Sequence, residues 1–552
     1  MTPGDDSNSR DPCDAFKHTC TVHRLVAPIG LCLAFACATS PPVFPTIVEV
    51  DRASAGPPLN SGDVQSRNPV ESASDNTDFA AGAGSAPLGL SLEEAVFLAI
   101  GANRDLGIQR LTPVLAGTFE QIEHGVFDPE VFASFQYQAE RALRLGDQTQ
   151  NRFEIETNSQ SGELGARQRL SSGTSIEVSG RIDRSDITSS DVDPLAQTRL
   201  GLSVTQSLLR GFGPAVNLAR VHQARLETRA SVHQLEGFTA SIVADVERAY
   251  WSFALARREI EIFERSLVFA EQQERDIKGR IEVGLLGPPD AALAEAEVAR
   301  RNQDLIDARS RLAAARLQLA RLIDAHFDQP MTPASAADIT PIEIGDIEER
   351  IALGRLKRPE LNEARARLEQ RRLEVVATRN GVLPQLDVFV NLGRTGFATE
   401  VSSSISNLDQ NTFDIVGGVS LSQALGARAA AAQRTAAYAQ EEQAQRAIDN
   451  LAQLVELEVR LALNELERAQ EQIQASQRTL KLQAMFVDAE QQEFEVGTST
   501  ALAVAQAQRD LVAAEISEAG AVVAYRLALV QLYAAEGSLL SRRGVGVSAP
   551  ES

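Results

Sequence analysis

Leu200-Gly201-Leu202-Ser203-Val204-Thr205-Gln206-Ser207-Leu208-Leu209-Arg210-Gly211-Phe212-Gly213-Pro214 reads as a strand that runs straight into a helix. Leu200, Leu202, Val204 and Gln206 fall on one face, and Gly201, Ser203 and Thr205 on the other. That period of two is the signature of a β-strand. The glycines and proline from Gly211 to Pro214 punctuate a turn, and Pro214 suits a first helical position. No further proline occurs until Pro288. A helix unbroken from Ala215 to Glu282 would be about 100 Å long at roughly 1.5 Å per residue, where an ordinary globular helix has about three turns.

The same construction occurs again. Phe413, Ile415, Val419 and Leu421 alternate with Asp414, Gly418, Ser420 and Ser422. Gln423-Ala424-Leu425-Gly426 then turns the chain into helical sequence from Arg428 to about Glu495. Other anchors pair in the same order. Leu92-Glu93-Glu94 matches Ile347-Glu348-Glu349, Asn103-Arg104-Asp105-Leu106 matches Arg358-Pro359-Glu360-Leu361, and Val283-Gly284 matches Val496-Gly497. These anchors make the chain an internal duplication. Each half reads helix, strands, long helix, Val-Gly break, helix. The first repeat spans 90–340 and the second 341–540, with a disordered tail expected over 541–552.

Composition narrows the classes. Aromatics are only 5% of the 552 residues, and the long segments are rich in Ala, Leu, Glu, Gln and Arg, the composition of coiled coils. A formal charge of −22 argues against a nucleic-acid partner, because phosphate binding needs clustered Lys and Arg. No apolar run reaches the roughly eighteen residues of a spanning helix. Such a chain crosses a bilayer only as a closed β-barrel.

The four cysteines, Cys13, Cys20, Cys32 and Cys37, all lie near the start. Lys17, His18, His23 and Arg24 precede a short apolar run, and Ala34-Phe35-Ala36 is a small-x-small site. Residues 1–38 thus read as an export signal. Two processing routes compete there: ordinary cleavage before Cys37, or a loose lipoprotein box ending in an acylated Cys37. Residues 39–89, rich in Pro, Ser, Gly, Asp and Asn, read as a disordered linker.

Ser91 and Glu94 have capping-box spacing, and the helix that follows runs toward Gly125 with a kink or split expected at Pro113. Beyond Pro129 come strands with one apolar face: Val131, Ala133, Phe135, Tyr137 and Ala139; then Ile176, Val178 and Ile182; and in the second half Leu386, Val388, Val390 and Leu392. Alternation of this kind fits a lipid-facing barrel wall and equally a half-exposed soluble sheet. The first half carries an extra segment, roughly Ala139 to Ile176. It reads either as an added hairpin containing Phe153, Ile155, Leu164 and Leu170, or as a long loop. Val243, Val246, Tyr250, Phe253, Ile260 and Leu267 form a heptad seam on the long helix.

No histidine pair has metalloprotease spacing, no P-loop is present, and Gly211-Phe212-Gly213 is a turn rather than a dinucleotide site. The residues point to no enzyme, cofactor or metal. The stretches that stand out are the two breaks. Val283-Gly284-Leu285 and Val496-Gly497-Thr498 lie at the far ends of the long helices, where a corner becomes a tip able to make contacts.

Taken together, the duplicated repeat, Arg358-Pro359-Glu360-Leu361, Leu383-Pro384-Gln385-Leu386 leading a strand, Thr205-Gln206-Ser207-Leu208-Leu209-Arg210-Gly211 at the strand-to-helix junction and the two Val-Gly tips resemble the outer-membrane efflux protein family, of TolC type. The resemblance covers about Leu90 to Glu536. It implies a mainly α fold with a membrane β-barrel portion: a trimeric barrel continued by a periplasmic α-helical coiled-coil tunnel. It further implies a homotrimer in outer-membrane lipid, four strands per copy in a twelve-stranded barrel, and passive export in a tripartite efflux or type I secretion system. An inner-membrane pump would supply the energy through a periplasmic adaptor that meets the tips. The gate aspartates that the family's best-known member carries after the second Val-Gly are replaced here by Ala503 and Gln506. Asp290, after the first, is either a substitute acidic pore ring or simply a helix-start aspartate. The competing reading of the whole chain is a periplasmic or surface coiled-coil scaffold with a soluble β-domain.

Overall fold

The computed structural model describes residues 47–49, 88–145, 152–187, 194–333, 345–410 and 412–547. The export signal with Cys37, and most of the expected linker, lie outside the described residues.

In chain order the first half comprises β1 (Ile47–Glu49), β2 (Leu88–Leu90), α1 (Leu92–Ala102), α2 (Arg104–Gln109), α3 (Leu111–His124), β3 (Glu130–Leu145), β4 (Arg152–Arg169), β5 (Thr174–Ile187), β6 (Leu195–Ser207), α4 (Pro214–Asn217), α5 (Ala219–Glu282), α6 (Pro288–Leu322) and β7 (Met331–Pro333). The second half comprises α7 (Ile347–Lys357), α8 (Pro359–Gly381), β8 (Gln385–Ala398), α9 (Val401–Ser406), β9 (Phe413–Ser422), α10 (Arg428–Glu495), α11 (Ala501–Ala535), α12 (Leu539–Arg542) and β10 (Val545–Val547). The two long helices have 64 and 68 residues, close to 100 Å each at about 1.5 Å per residue.

The duplication reaches down to single backbone angles. Asn103 ends α1 with φ −60° and ψ 123°, and Arg358 ends α7 with φ −59° and ψ 122°. Three residues on, Leu106 and Leu361 are both fully buried. The expected split at Pro113 instead falls at Asn103 and Arg110. Asn103 accepts the Leu106 N–H at 3.0 Å and donates to the Leu322 carbonyl at 2.9 Å, so it starts α2 and ties it to α6. Pro113 sits in the first turn of α3, where a missing N–H removes no helical hydrogen bond. The capping box forms as read, with Ser91 and Glu94 bonded reciprocally. The Ser91 bonds hold the Glu94 carboxyl below its usual range.

Six strands form one antiparallel sheet in the order β3-β4-β5-β6-β8-β9. The extra segment of the first half is therefore a hairpin, and it belongs to the same sheet. The sheet thus has two strands more than the four per copy that the resemblance implies for the barrel. Register makes one face apolar from edge to edge: Val131, Ala166, Val178, Leu202, Leu392 and Ile415 stand in a single row across all six strands. The opposite face is polar. One of its rows runs Glu130, Arg167, Glu177, Ser203, Asn391. Arg167 pairs with Glu130 at 2.8 Å, and Ser203 donates to Asn391 at 2.7 Å. Toward the end of the sheet away from the helices, α9 folds over the apolar side, and its Ser404 shares a hydroxyl bond with Thr198 at 2.6 Å.

Four helices lie side by side beneath the sheet in the order α3-α5-α8-α10. The heptad seam on α5 is buried: Val243, Val246 and Tyr250 are inaccessible, and Phe253 and Ile260 nearly so. They pack with α1, α6 and α11. Ala315 is buried, while Ala313 and Ala314 are exposed. The C-terminal segment also departs from expectation. In place of a tail from 541, α12 and β10 are built in, because β10 pairs with β1 across Val547–Ile47, Gly546–Val48 and Val545–Glu49. Arg543 also reaches back to the fully buried Glu247 of α5 with two contacts of 2.6 Å.

That ion pair yields a stability prediction. Removing one partner of a buried pair leaves an uncompensated charge and costs about 3 kcal/mol or more, whereas replacing both partners by apolar residues is near neutral. Arg543→Met should lower the thermal unfolding midpoint of the helical signal clearly, and the double change Glu247→Leu, Arg543→Met should recover most of it. An Arg543→Met melt that overlays the parent would show that the pair does not fasten the C-terminus.

Candidate functional site: the paired helical tips

The two Val-Gly breaks end α5 and α10 in the same way. Gly284 donates to the Ile281 carbonyl at 2.9 Å and Leu285 to Arg280 at 2.9 Å. Gly497 donates to Phe494 at 3.2 Å and Thr498 to Glu493 at 2.8 Å. This is the Schellman arrangement, in which the residue after the cap takes left-handed angles. Gly284 has φ +78° and Gly497 φ +82°, a region that a side chain enters at a cost of about 1–2 kcal/mol. The glycine is thus dictated by the turn. The valine before it is not: Val283 is 70% exposed and Val496 76%, and Leu285 is equally open at 73%. Exposed apolar side chains on a corner are what a docking surface needs.

The helices that leave the tips are capped by different devices. Thr500 accepts the Ala503 N–H at 3.2 Å to start α11. Asp290 accepts the Gly287 N–H at 3.1 Å, just before α6. Its carboxylate thus makes the helix-start contact, while Pro288 and Pro289 open the helix. Thr498 and Ser499 turn inward, bonding the Glu493 carbonyl at 3.0 Å and the Glu490 carboxylate at 2.6 Å.

The fold brings the two tips together. Ile277 of α5, Ala294 of α6, Phe494 of α10, and Ala501 and Val504 of α11 form one small core. Arg280 bridges the pair. Its guanidinium lies 4.7 Å from the centre of the Phe494 ring and donates to the Phe494 carbonyl at 3.1 Å. Lys278 joins α5 to α6 by contacting Glu274 at 2.6 Å and Glu295 at 2.9 Å, and these carboxylates raise its pKa above the ordinary lysine value. Arg280 and Phe494 were not singled out in the sequence. Arg280 lies three residues before Val283 and Phe494 two before Val496, so no repeated position marks them.

Among the described residues no group of His, Cys, Asp and Glu is arranged to hold a metal ion. The corner offers shape and apolar surface rather than chemistry.

Two successive stretches, residues 138–324 and 352–538, each match the family described as outer membrane efflux protein. The outer membrane efflux protein BepC of Brucella suis biovar 1 (strain 1330) is 25% identical over 321 residues, 58% of this chain and 67% of that protein. The solved outer-membrane channel OprN shares the fold with a TM-score of 0.62 at 18% identity, over 81% of this chain and 90% of that one. The Campylobacter jejuni CmeC outer membrane channel does so with 0.60 at 14% identity, over 81% and 86%. One matched stretch falls in each half of the chain, and together they take in more than half of the sequence: the chain belongs to the outer membrane efflux protein family.

Proposed function

We propose that three copies of this chain close into a passive exit channel, a β-barrel in the outer membrane continued by a helical tunnel in the periplasm. In this reading the exposed tip residues meet a periplasmic adaptor, which couples the channel to an inner-membrane pump. The observation that carries it is a pair of complementary open edges. One edge is α3 leading into β3, which pairs only with β4. The other is β9, which pairs only with β8, leading into α10. An unpaired strand edge cannot face hydrocarbon, because its N–H and C=O groups find no partner there. Pairing β9 of one copy with β3 of the next removes both edges, and repeating the step closes a ring.

The helices continue the same seam. Ile108, Leu111, Leu115, Phe119, Ile122 and Val126, all exposed, make an apolar stripe along α2 and α3 at spacings of three and four. On α10, Ala429, Ala432, Ala436 and Ala439 are exposed at the same spacing. Large knobs facing small residues is the pattern of close helix packing. The copy number of three follows from the family resemblance. A soluble scaffold would leave the apolar row from Val131 to Ile415 in water, a patch that soluble proteins avoid.

Two outcomes test this reading. Leu115→Arg with Phe119→Arg places charges in the seam; detergent-extracted protein should then migrate as single chains by light scattering, where the parent gives one trimeric mass. Val283→Arg with Val496→Arg alters only exposed tip surface. Trimers should persist, while export falls to the level of a strain lacking the channel. Export at the parent rate in that variant would exclude the tips as the adaptor surface.

A further inference from the structure

The inserted hairpin, β4 and β5, has no helix beneath it. Helix α3 leads into β3, β6 into α5, α8 into β8 and β9 into α10, so each of the four helices in the row continues one strand. The hairpin enters from the far end of β3 and leaves to the far end of β6. It pairs along nearly its whole length on both sides: Glu130–Leu145 with Arg152–Arg167, then Thr157–Arg169 with Ser175–Ile187, then Thr174–Ser185 with Leu195–Gln206. Its outer face carries Gly162, Leu164 and Ala166 on β4, and Ile176, Val178 and Ile182 on β5, continuous with the apolar band of the other strands.

The turn of the hairpin is fastened to the strand-to-helix junction. Gly213 donates to the Ser172 carbonyl at 3.1 Å and Ser207 to the Gly173 carbonyl at 3.2 Å. Asn217 donates to the carbonyls of Ser171, Gly211 and Gly213 at 3.0, 2.8 and 3.1 Å. Gly173 has φ +87°, and a Cβ there would lie 2.2 Å from the Gly211 carbonyl oxygen. Such a turn is seated in the rim, not hung from it.

Width gives an independent argument. Six strands at about 4.8 Å spacing and roughly 40° tilt cover an arc of about 38 Å per copy, and four strands only about 25 Å. Four helices at roughly 9–10 Å spacing cover about 38 Å. The sheet and the helical row of this chain therefore subtend the same arc, whatever the number of copies.

We propose that β4 and β5 are two further barrel staves, so that the passage does not narrow at the outer membrane and admits bulky, polymeric or folded cargo as wide as the helical section can pass. The proposal rests on the channel reading above. Three copies then close eighteen strands around a clear bore on the order of 25 Å, against on the order of 15 Å for four strands per copy.

The test is electron cryo-microscopy of the full-length assembly extracted in detergent, sectioned through the apolar band. Eighteen strands in one closed wall is the expected result. A trimer with twelve strands and the hairpin outside the wall overturns the inference and leaves the channel standing. A rod without a lumen overturns both. A second measurement records ion current through the same assembly with poly(ethylene glycol) of about 20 Å diameter applied at the barrel mouth. Entry of the polymer, read as a fall in current, is expected. Exclusion equal to that of a twelve-stranded channel overturns the wide passage.

Discussion

The constraint on which the structure depends is the backbone hydrogen bond in hydrocarbon. A strand in lipid must find a partner on each side. One copy of this chain leaves β3 and β9 each paired on one side only. In the proposed channel, closure by further copies answers that deficit, and the helices follow the strands. Because α3 feeds one open edge and α10 leaves the other, copies that join through their strands are brought to join through their helices. The apolar stripe on α3 and the exposed alanines on α10 are the side-chain counterpart of the two open strand edges.

The second dependence is mechanical. A helix of 64 or 68 residues is far too long to be held by one core: three cores follow one another along α5 and two along α10, the last shared between them. The largest lies around Tyr250, whose hydroxyl reaches the Leu90 carbonyl at 3.1 Å. The smallest lies beside the tips and contains few residues. The tips are accordingly held by five buried residues, from Ile277 to Val504, with the Arg280 bridge and the Lys278–Glu295 pair. A region with few buried contacts opens at lower free energy than the body of the molecule, and in the proposed channel this is the end that meets the adaptor.

Much of this could be read from sequence because the relevant signals are local. The alternation in Leu200–Gln206, the Val-Gly breaks and the Ser91–Glu94 box each depend on neighbours within a few residues. The seam from Val243 to Ile260 could be read because a heptad is periodic. What could not be read depends on distant partners. Asn103 breaks a helix because the Leu322 carbonyl accepts its amide, and nothing near Asn103 announces that. Arg543 is built in because Glu247 lies buried 296 positions away. The hairpin reads equally as strand or loop because its outer face carries Asn158 and Gln160 as well as Leu164. Only register against Val178 and Leu202 shows which part of β4 joins the apolar band.

The unequal halves show what the architecture allows to vary. A strand that starts on the helical side must be followed by one that returns, or the next helix would emerge on the wrong side of the membrane. Staves can therefore be added only in pairs, and only at connections on the side away from the helices. Such connections join β3 to β6 and β8 to β9. The second is short and is occupied by α9, which folds back onto Thr198. The first accepted β4 and β5 without displacing a helix, since their turn needed only a seat between Ser207 and Asn217. The width of the barrel is thereby separable from the number of helices beneath it. Duplication fixes the helical row at four per copy, whereas the sheet above it can widen by hairpins until its arc equals that of the row.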